Sequence, residues 1–141
     1  MKIYVVDDER IIRVSLADEL RDAGNVVSEF AYANTALTQM ANELPGLVIT
    51  DLKMGDVDGI EFLKKIKNIN KNIYVVFMTA YSNLSTAVEA LKLGAYDYIE
   101  KPFENEKILI IIRHILELEK VKDENIKLKI KLKATDFRQH R

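Results

Sequence analysis

Short β-branched runs alternate along this chain with longer stretches whose apolar residues recur at helical spacing. Lys2-Ile3-Tyr4-Val5-Val6 is the first run, and it ends in Asp7-Asp8-Glu9. Ile11, Ile12, Leu16 and Leu20, with Ala17 and Ala23, then mark a helix that Gly24 is placed to stop. Val26 to Phe30 reads as a weaker strand, followed by a helix from about Asn34 through Leu37, Met40, Ala41 and Leu44. Leu47-Val48-Ile49-Thr50-Asp51, bounded by Pro45-Gly46 and by Gly55 and Gly59, has the composition of a strand buried on both faces. Ile60, Leu63, Ile66 and Ile69 predict a third helix, and Ile73 to Met78 the most apolar strand, ending at Thr79-Ala80. Ala87 to Leu93 form a fourth helix that stops at Gly94, and Tyr96 to Ile99 a short last strand ending at Lys101-Pro102.

Five strands alternating with helices predict βα repeats and a parallel sheet, an α/β fold. Right-handed crossovers then carry every strand's C-terminus to one edge of the sheet, where ligands collect in such folds. Sequence order alone leaves the order of strands open. The expected one is the flavodoxin-like (βα)5 doubly wound order 2-1-3-4-5, which sets the first and third strands side by side and brings Asp7 and Asp8 next to Asp51.

Composition narrows the chemistry. With 141 residues and 48% apolar content the chain suits one domain plus a short extension, and with no cysteine it has no disulfide, thiol nucleophile or cysteine-bound zinc. Its two histidines, His114 and His140, lie far from other ligands in sequence. No signal peptide or membrane span is expected, which suggests a cytoplasmic location. Residues 1–106 carry 11 Lys and Arg against 17 Asp and Glu, and residues 107–141 carry 10 against 5, so an acidic body precedes a basic tail. The tail's charges alternate in sign without interleaved aromatic groups, which reads as a solvated helix face and not a nucleic-acid surface.

Asp7, Asp8, Asp51, Thr79 and Lys101 fall at four of the five predicted strand ends. Crowded carboxylates repel unless one is protonated or a hard cation sits among them, and an oxygen-only set with few protein donors favours Mg²⁺. A lysine and a threonine hydroxyl suit the oxygens of a phosphoryl group, and Asp51, on the central strand, is placed as the carboxylate that accepts it. Taken singly, these residues have plainer explanations. Asp8 or Glu9 would cap the first helix, Asp58 would cap the third, Thr79 would simply end a strand and Lys101 would sit on the surface. Those roles do not account for acids at two strand ends with Thr and Lys at two others.

Asp7-Asp8-Glu9, Val48 to Met54, Asp58-Gly59, Met78-Thr79-Ala80 and Lys101-Pro102-Phe103, in that order and spacing, resemble the CheY-like receiver domain of two-component response regulators, over about residues 1–118. The run from Ala87 to Phe103 is most similar to receivers of the NtrC subfamily of sigma-54-dependent transcriptional activators. The resemblance implies that Asp51 takes a phosphoryl group from a sensor histidine kinase. It also implies that Asp8, Asp51 and the Lys53 carbonyl bind Mg²⁺, with Asp7 acting through a water. Thr79 and Lys101 would hold phosphoryl oxygens, Tyr98 would swing inward when Thr79 moves, and Lys101-Pro102 would be cis. Two departures stand out: Gly55 replaces a frequent proline, which predicts a looser loop, and Lys53 and Tyr81 occupy positions that tune dephosphorylation, predicting a longer-lived phosphorylated state. A rival reading, a Mg²⁺-dependent phosphohydrolase, needs a second acid where Lys53 stands.

From Glu104 no Gly or Pro interrupts the chain, so helix can run almost to the end, with Ile108, Ile111, Ile112, Ile115 and Leu116 as an apolar face. Residues 119–141 are expected to be a helical linker and short coiled coil leading to an output domain beyond Arg141. With Leu118 at a, Val121 falls at d, Asn125 at a, Leu128 at d and Leu132 at a, and one polar a position favours a two-stranded pairing. Glu117, Glu124 and Lys131 at g then oppose Lys122, Lys129 and Asp136 at e in charge, so a homodimer through this helix is expected. No nucleic-acid motif occurs within these residues.

Overall fold

The structure, a computed structural model, describes residues 1–139, and the side chains of Tyr81 and of residues 134–139 lie outside that description, as does His140. The chain divides into two compact units, Met1–Phe103 and Glu104–Arg141.

In the first unit strands β1 (Lys2–Val6), β2 (Val26–Phe30), β3 (Leu47–Asp51), β4 (Tyr74–Thr79) and β5 (Asp97–Glu100) alternate with helices α1 (Arg10–Asp22), α2 (Ala33–Met40), α3 (Gly59–Ile69) and α4 (Leu84–Lys92). All neighbouring strands pair in parallel in the order β2-β1-β3-β4-β5, so the α/β flavodoxin-like order expected from the sequence is the one formed. Leu47, Val48, Ile49 and Thr50 of β3 are all buried, as a central strand covered on both faces requires. On one face Tyr4, Val6, Val48, Val75 and Phe77 pack with Ala33, Ala36 and Met40 of α2, Phe62, Leu63 and Ile66 of α3, and Ala87 and Ala90 of α4. The small residues of α2 and α4 let those helices lie close on the sheet.

Local signals set the helix ends. Gly24 (φ +95°) and Gly94 (φ +109°) take the left-handed conformation that only glycine adopts without cost, and close α1 and α4. α2 ends at Met40, four residues before Leu44, which is exposed. Asp58 caps α3 by accepting from the Ile60 amide at 2.9 Å, as the plainer reading of that residue held. Gly59, its neighbour, is required by close approach: a Cβ there would stand 2.3 Å from the Leu52 carbonyl oxygen, which instead accepts the Gly59 amide at 3.1 Å. The turn after β3 is thereby folded back tightly on its own strand end.

The second unit is one helix, α5 (Asn105–Gln139). Leu118, Val121, Leu128 and Leu132, the apolar a and d positions, are exposed, and so are Ile126 and Ile130 outside that seam.

Candidate functional site

Parallel register alone builds a rank of polar residues at the carboxyl edge of the sheet. Val6 pairs with Thr50, so Asp7 comes level with Asp51; Asp51 pairs with Met78, so Thr79 follows one residue on; and Thr79 pairs with Glu100, which precedes Lys101. The Lys101 amide donates to the Thr79 carbonyl at 2.8 Å and ties the β5 exit to the end of β4. The Lys101–Pro102 peptide is cis.

The side chains converge. Asp7, fully buried, Asp8, exposed, and Asp51, half-buried, each bring a carboxylate oxygen to within 4.8 Å of the others. The Lys101 ammonium lies among them, donating to Asp7 Oδ2 at 3.0 Å and to Asp51 Oδ2 at 3.2 Å, and standing 3.6 Å from Glu9 Oε1. Backbone amides help to hold the acids: Glu9 N–H donates to Asp7 Oδ1 at 2.8 Å and Lys53 N–H to Asp51 Oδ1 at 3.2 Å. Thr79 is fully buried, with its hydroxyl donating to the Ala80 carbonyl at 3.1 Å. Tyr98 is half-buried against the core cluster, and Lys53 is exposed.

Burial pushes the Asp7 carboxyl above its usual range, with a smaller contribution from the Asp51 charge, and the Glu9 amide and Lys101 only partly offset this. Burial alone would lower the Lys101 pKa, but the hydrogen bond to Asp7 and the Asp51 charge outweigh it and raise it. Two like charges within 4.8 Å of each other repel by about 3.5 kcal/mol or more at an effective dielectric constant of about 20, and one ammonium among three carboxylates leaves the cluster short of positive charge. Oxygen-only donors with a deficit of positive charge are the donor set that suits Mg²⁺, and the residues present fit it.

Sequence reasoning named Asp7, Asp8, Asp51 and Lys101 as one cluster, and the structure brings them together. It missed three contributors. Glu9, read as a helix cap, occupies the N-cap position of α1 without a side-chain cap bond and turns its carboxylate to Lys101. Arg13 donates to the Asp7 carbonyl at 2.8 Å and pairs with Glu29 at 3.5 Å, bracing the strand end from α1; its place one turn after Glu9 was the available signal. Asp56 accepts the Asn34 amide at 2.9 Å and the Ala33 amide at 3.3 Å, tying the loop after Asp51 to α2, and no local pattern announces a bond across that separation.

A doubly wound parallel sheet carrying an acidic cluster, a hydroxyl and a lysine at its carboxyl edge defines the receiver class, the phosphoacceptor switches of two-component signalling. The family model described as the response regulator receiver domain matches residues 3–113, and the chain belongs to that family. It is 37% identical over 134 residues to an NtrX-like response regulator of Rickettsia felis, covering 94% of this chain and 28% of that protein. It is 36% identical over 114 residues to the DNA-binding transcriptional regulator NtrC of Proteus hauseri, covering 81% of this chain and 24% of that one. The crystal structure of the receiver domain of NtrX from Brucella abortus superposes with a TM-score of 0.77 at 36% identity, covering 82% of this chain and 98% of that domain. The chain thus spans about a quarter of the length of the curated relatives it matches.

Proposed function

We propose that this chain receives a phosphoryl group on Asp51 from a phosphohistidine of a sensor histidine kinase and relays that event to an output domain that controls transcription. An Asp51 oxygen forms the new bond to phosphorus as the bond between phosphorus and the donor imidazole nitrogen breaks, its electron pair leaving on the imidazole. Asp8, Asp51 and the Lys53 carbonyl would hold Mg²⁺, with Asp7 acting through a water, and the bound ion would supply positive charge to the transferring oxygens. Lys101 leaves the carboxylates to pair with one phosphoryl oxygen, and the Thr79 hydroxyl turns to donate to another. Thr79 moving inward opens room for the Tyr98 ring, which shifts the surface formed by α4 and β5. The chain so catalyses its own phosphorylation and dephosphorylation and turns over no independent substrate.

Residues 1–118 make up the receiver in this reading, and residues 119–141 a helical linker that pairs with a second copy through the exposed seam of α5. These residues touch no nucleic acid themselves, and the protein works in the cytoplasm. Among the described residues no helix is long and apolar enough to cross a membrane.

The observation that carries the reading is the Lys101 ammonium seated between Asp7 and Asp51, a cation directly beside the proposed acceptor. Incubation with acetyl phosphate and Mg²⁺, followed by intact mass, is expected to add one phosphoryl group to wild type and none to Asp51→Asn. An equal gain on the variant removes Asp51 from its role.

A further inference from the structure

The loop between Asp51 and α3 carries the Lys53 backbone and is held firmly at its two ends. Leu52 N–H donates to the Met78 carbonyl at 3.0 Å, Gly59 N–H donates to the Leu52 carbonyl at 3.1 Å, and Lys53 and Asp58 form a bridge. Between them Val57 is buried in the core and Met54 packs against it, while Gly55 lies in open space beside a cleft of about 360 Å³ lined by Leu52 to Asp58 and Thr86. The polar tie from this loop to α2 is Asp56, whose two carboxylate oxygens accept from Ala33 and Asn34, the first two amides of α2.

α2 needs that carboxylate. Its N-cap residue, Tyr32, makes no side-chain cap bond, and its first turn has no acidic residue, so its leading amides and the positive end of its dipole have no local partner. We infer that Asp56 is a positioning residue: a helix cap supplied from another loop, which ties the loop after Asp51 to the start of α2. Both partners gain from one contact. α2 has its first amides satisfied, and the backbone from Lys53 to Asp56, which in the acceptor-site reading would present the Lys53 carbonyl to the metal, is anchored at its far end. The inference rests on the acceptor-site reading above and adds to it a residue that touches neither metal nor phosphoryl group.

Three variants separate positioning from plain stability: Asp56→Ala, Asp56→Asn, and the double variant Tyr32→Asp with Asp56→Ala. Tyr32 is exposed and has extended backbone (φ −134°, ψ 144°), the conformation an N-cap takes, so an acid there restores the cap of α2 without restoring the link to the loop. The readouts are hydrogen exchange at the Ala33 and Asn34 amides, Tm, and Mg²⁺ affinity by NMR titration of backbone amides. Asp56→Ala is expected to speed exchange at both amides and to weaken Mg²⁺ binding about tenfold, the lower end of losses on removing a residue that orients a metal ligand. Asp56→Asn, which keeps one acceptor oxygen but turns an NH2 towards the second helix amide and loses the charge, is expected to fall between wild type and Asp56→Ala. The double variant is expected to recover Tm and amide protection while Mg²⁺ binding stays weak. Recovery of Mg²⁺ affinity in the double variant, or wild-type affinity in Asp56→Ala, overturns the inference and leaves the acceptor-site reading standing. A wild type that binds no Mg²⁺ overturns that reading itself.

Discussion

Asp7 shows how a single residue is held in tension. Its carboxyl is fully buried and raised in pKa chiefly by that burial, yet it accepts hydrogen bonds from the Glu9 amide and from Lys101. A carboxyl whose folded pKa lies above its unfolded value binds more protons in the folded state across the window between the two. Folding stability therefore falls as pH rises from the ordinary value of 3.8 through the raised one. Urea unfolding of metal-free protein over a pH series should accordingly show wild type losing ground to Asp7→Asn as pH climbs through that window. A gap that stays constant or moves the other way counts against a destabilising buried charge at this position. Lys101 has the opposite sign: its raised pKa contributes stability that is complete below its ordinary value of 10.5 and is lost only as pH passes the raised value.

At the scale of elements, the two ends of the chain follow different rules. β3 is a strand because it is apolar on both faces and bounded by turn residues, and it delivers Asp51 wherever its neighbours place it. α5 carries an apolar seam interrupted by Asn125, with Leu118 and Leu128 exposed at 44% and 56%. Exposed leucines on both sides of a polar a position suit a partner helix with the same sequence. In that pairing Leu128→Lys places two ammonium groups against each other in the seam, and molar mass by light scattering should fall to that of a monomer while the circular dichroism of the first unit is kept. A variant that keeps the wild-type mass excludes the seam as the contact. The side chain of Asp136, assigned to one of the flanking charge pairs, lies outside the described residues, as does that of Tyr81, assigned to the lifetime of the phosphorylated state.

For the molecule as a whole, the acidic excess of the first part of the chain is concentrated at one rim, where Asp7, Asp8, Glu9 and Asp51 meet a single lysine. A divalent ion bound there would relieve repulsion in the folded state and would have no equivalent site in the unfolded chain, where Asp51 is no longer held beside Asp7 and Asp8. At 100 times its dissociation constant such an ion adds about 2.7 kcal/mol of stability. Mg²⁺ should therefore raise Tm by several degrees in wild type and leave Asp8→Asn nearly unchanged. An equal rise in both would mean that the ion acts elsewhere.

What could be read in advance, and what could not, divides along the range of the interactions. The strands, the α1 and α4 stops at Gly24 and Gly94, and the Asp58 cap were legible because each depends on residues a few positions apart, where side-chain period and backbone preference decide the outcome. The acidic cluster was legible one step further, because parallel register turns strand ends into neighbours. By itself, then, the sequence determined which elements form and which polar residues end them. Only the tertiary structure decided the order β2-β1-β3-β4-β5, the turning of Glu9 towards Lys101, the brace from Arg13 and the capping of α2 by Asp56. Those contacts join residues on separate elements, and their energy is realised only once the sheet has assembled and set the elements side by side.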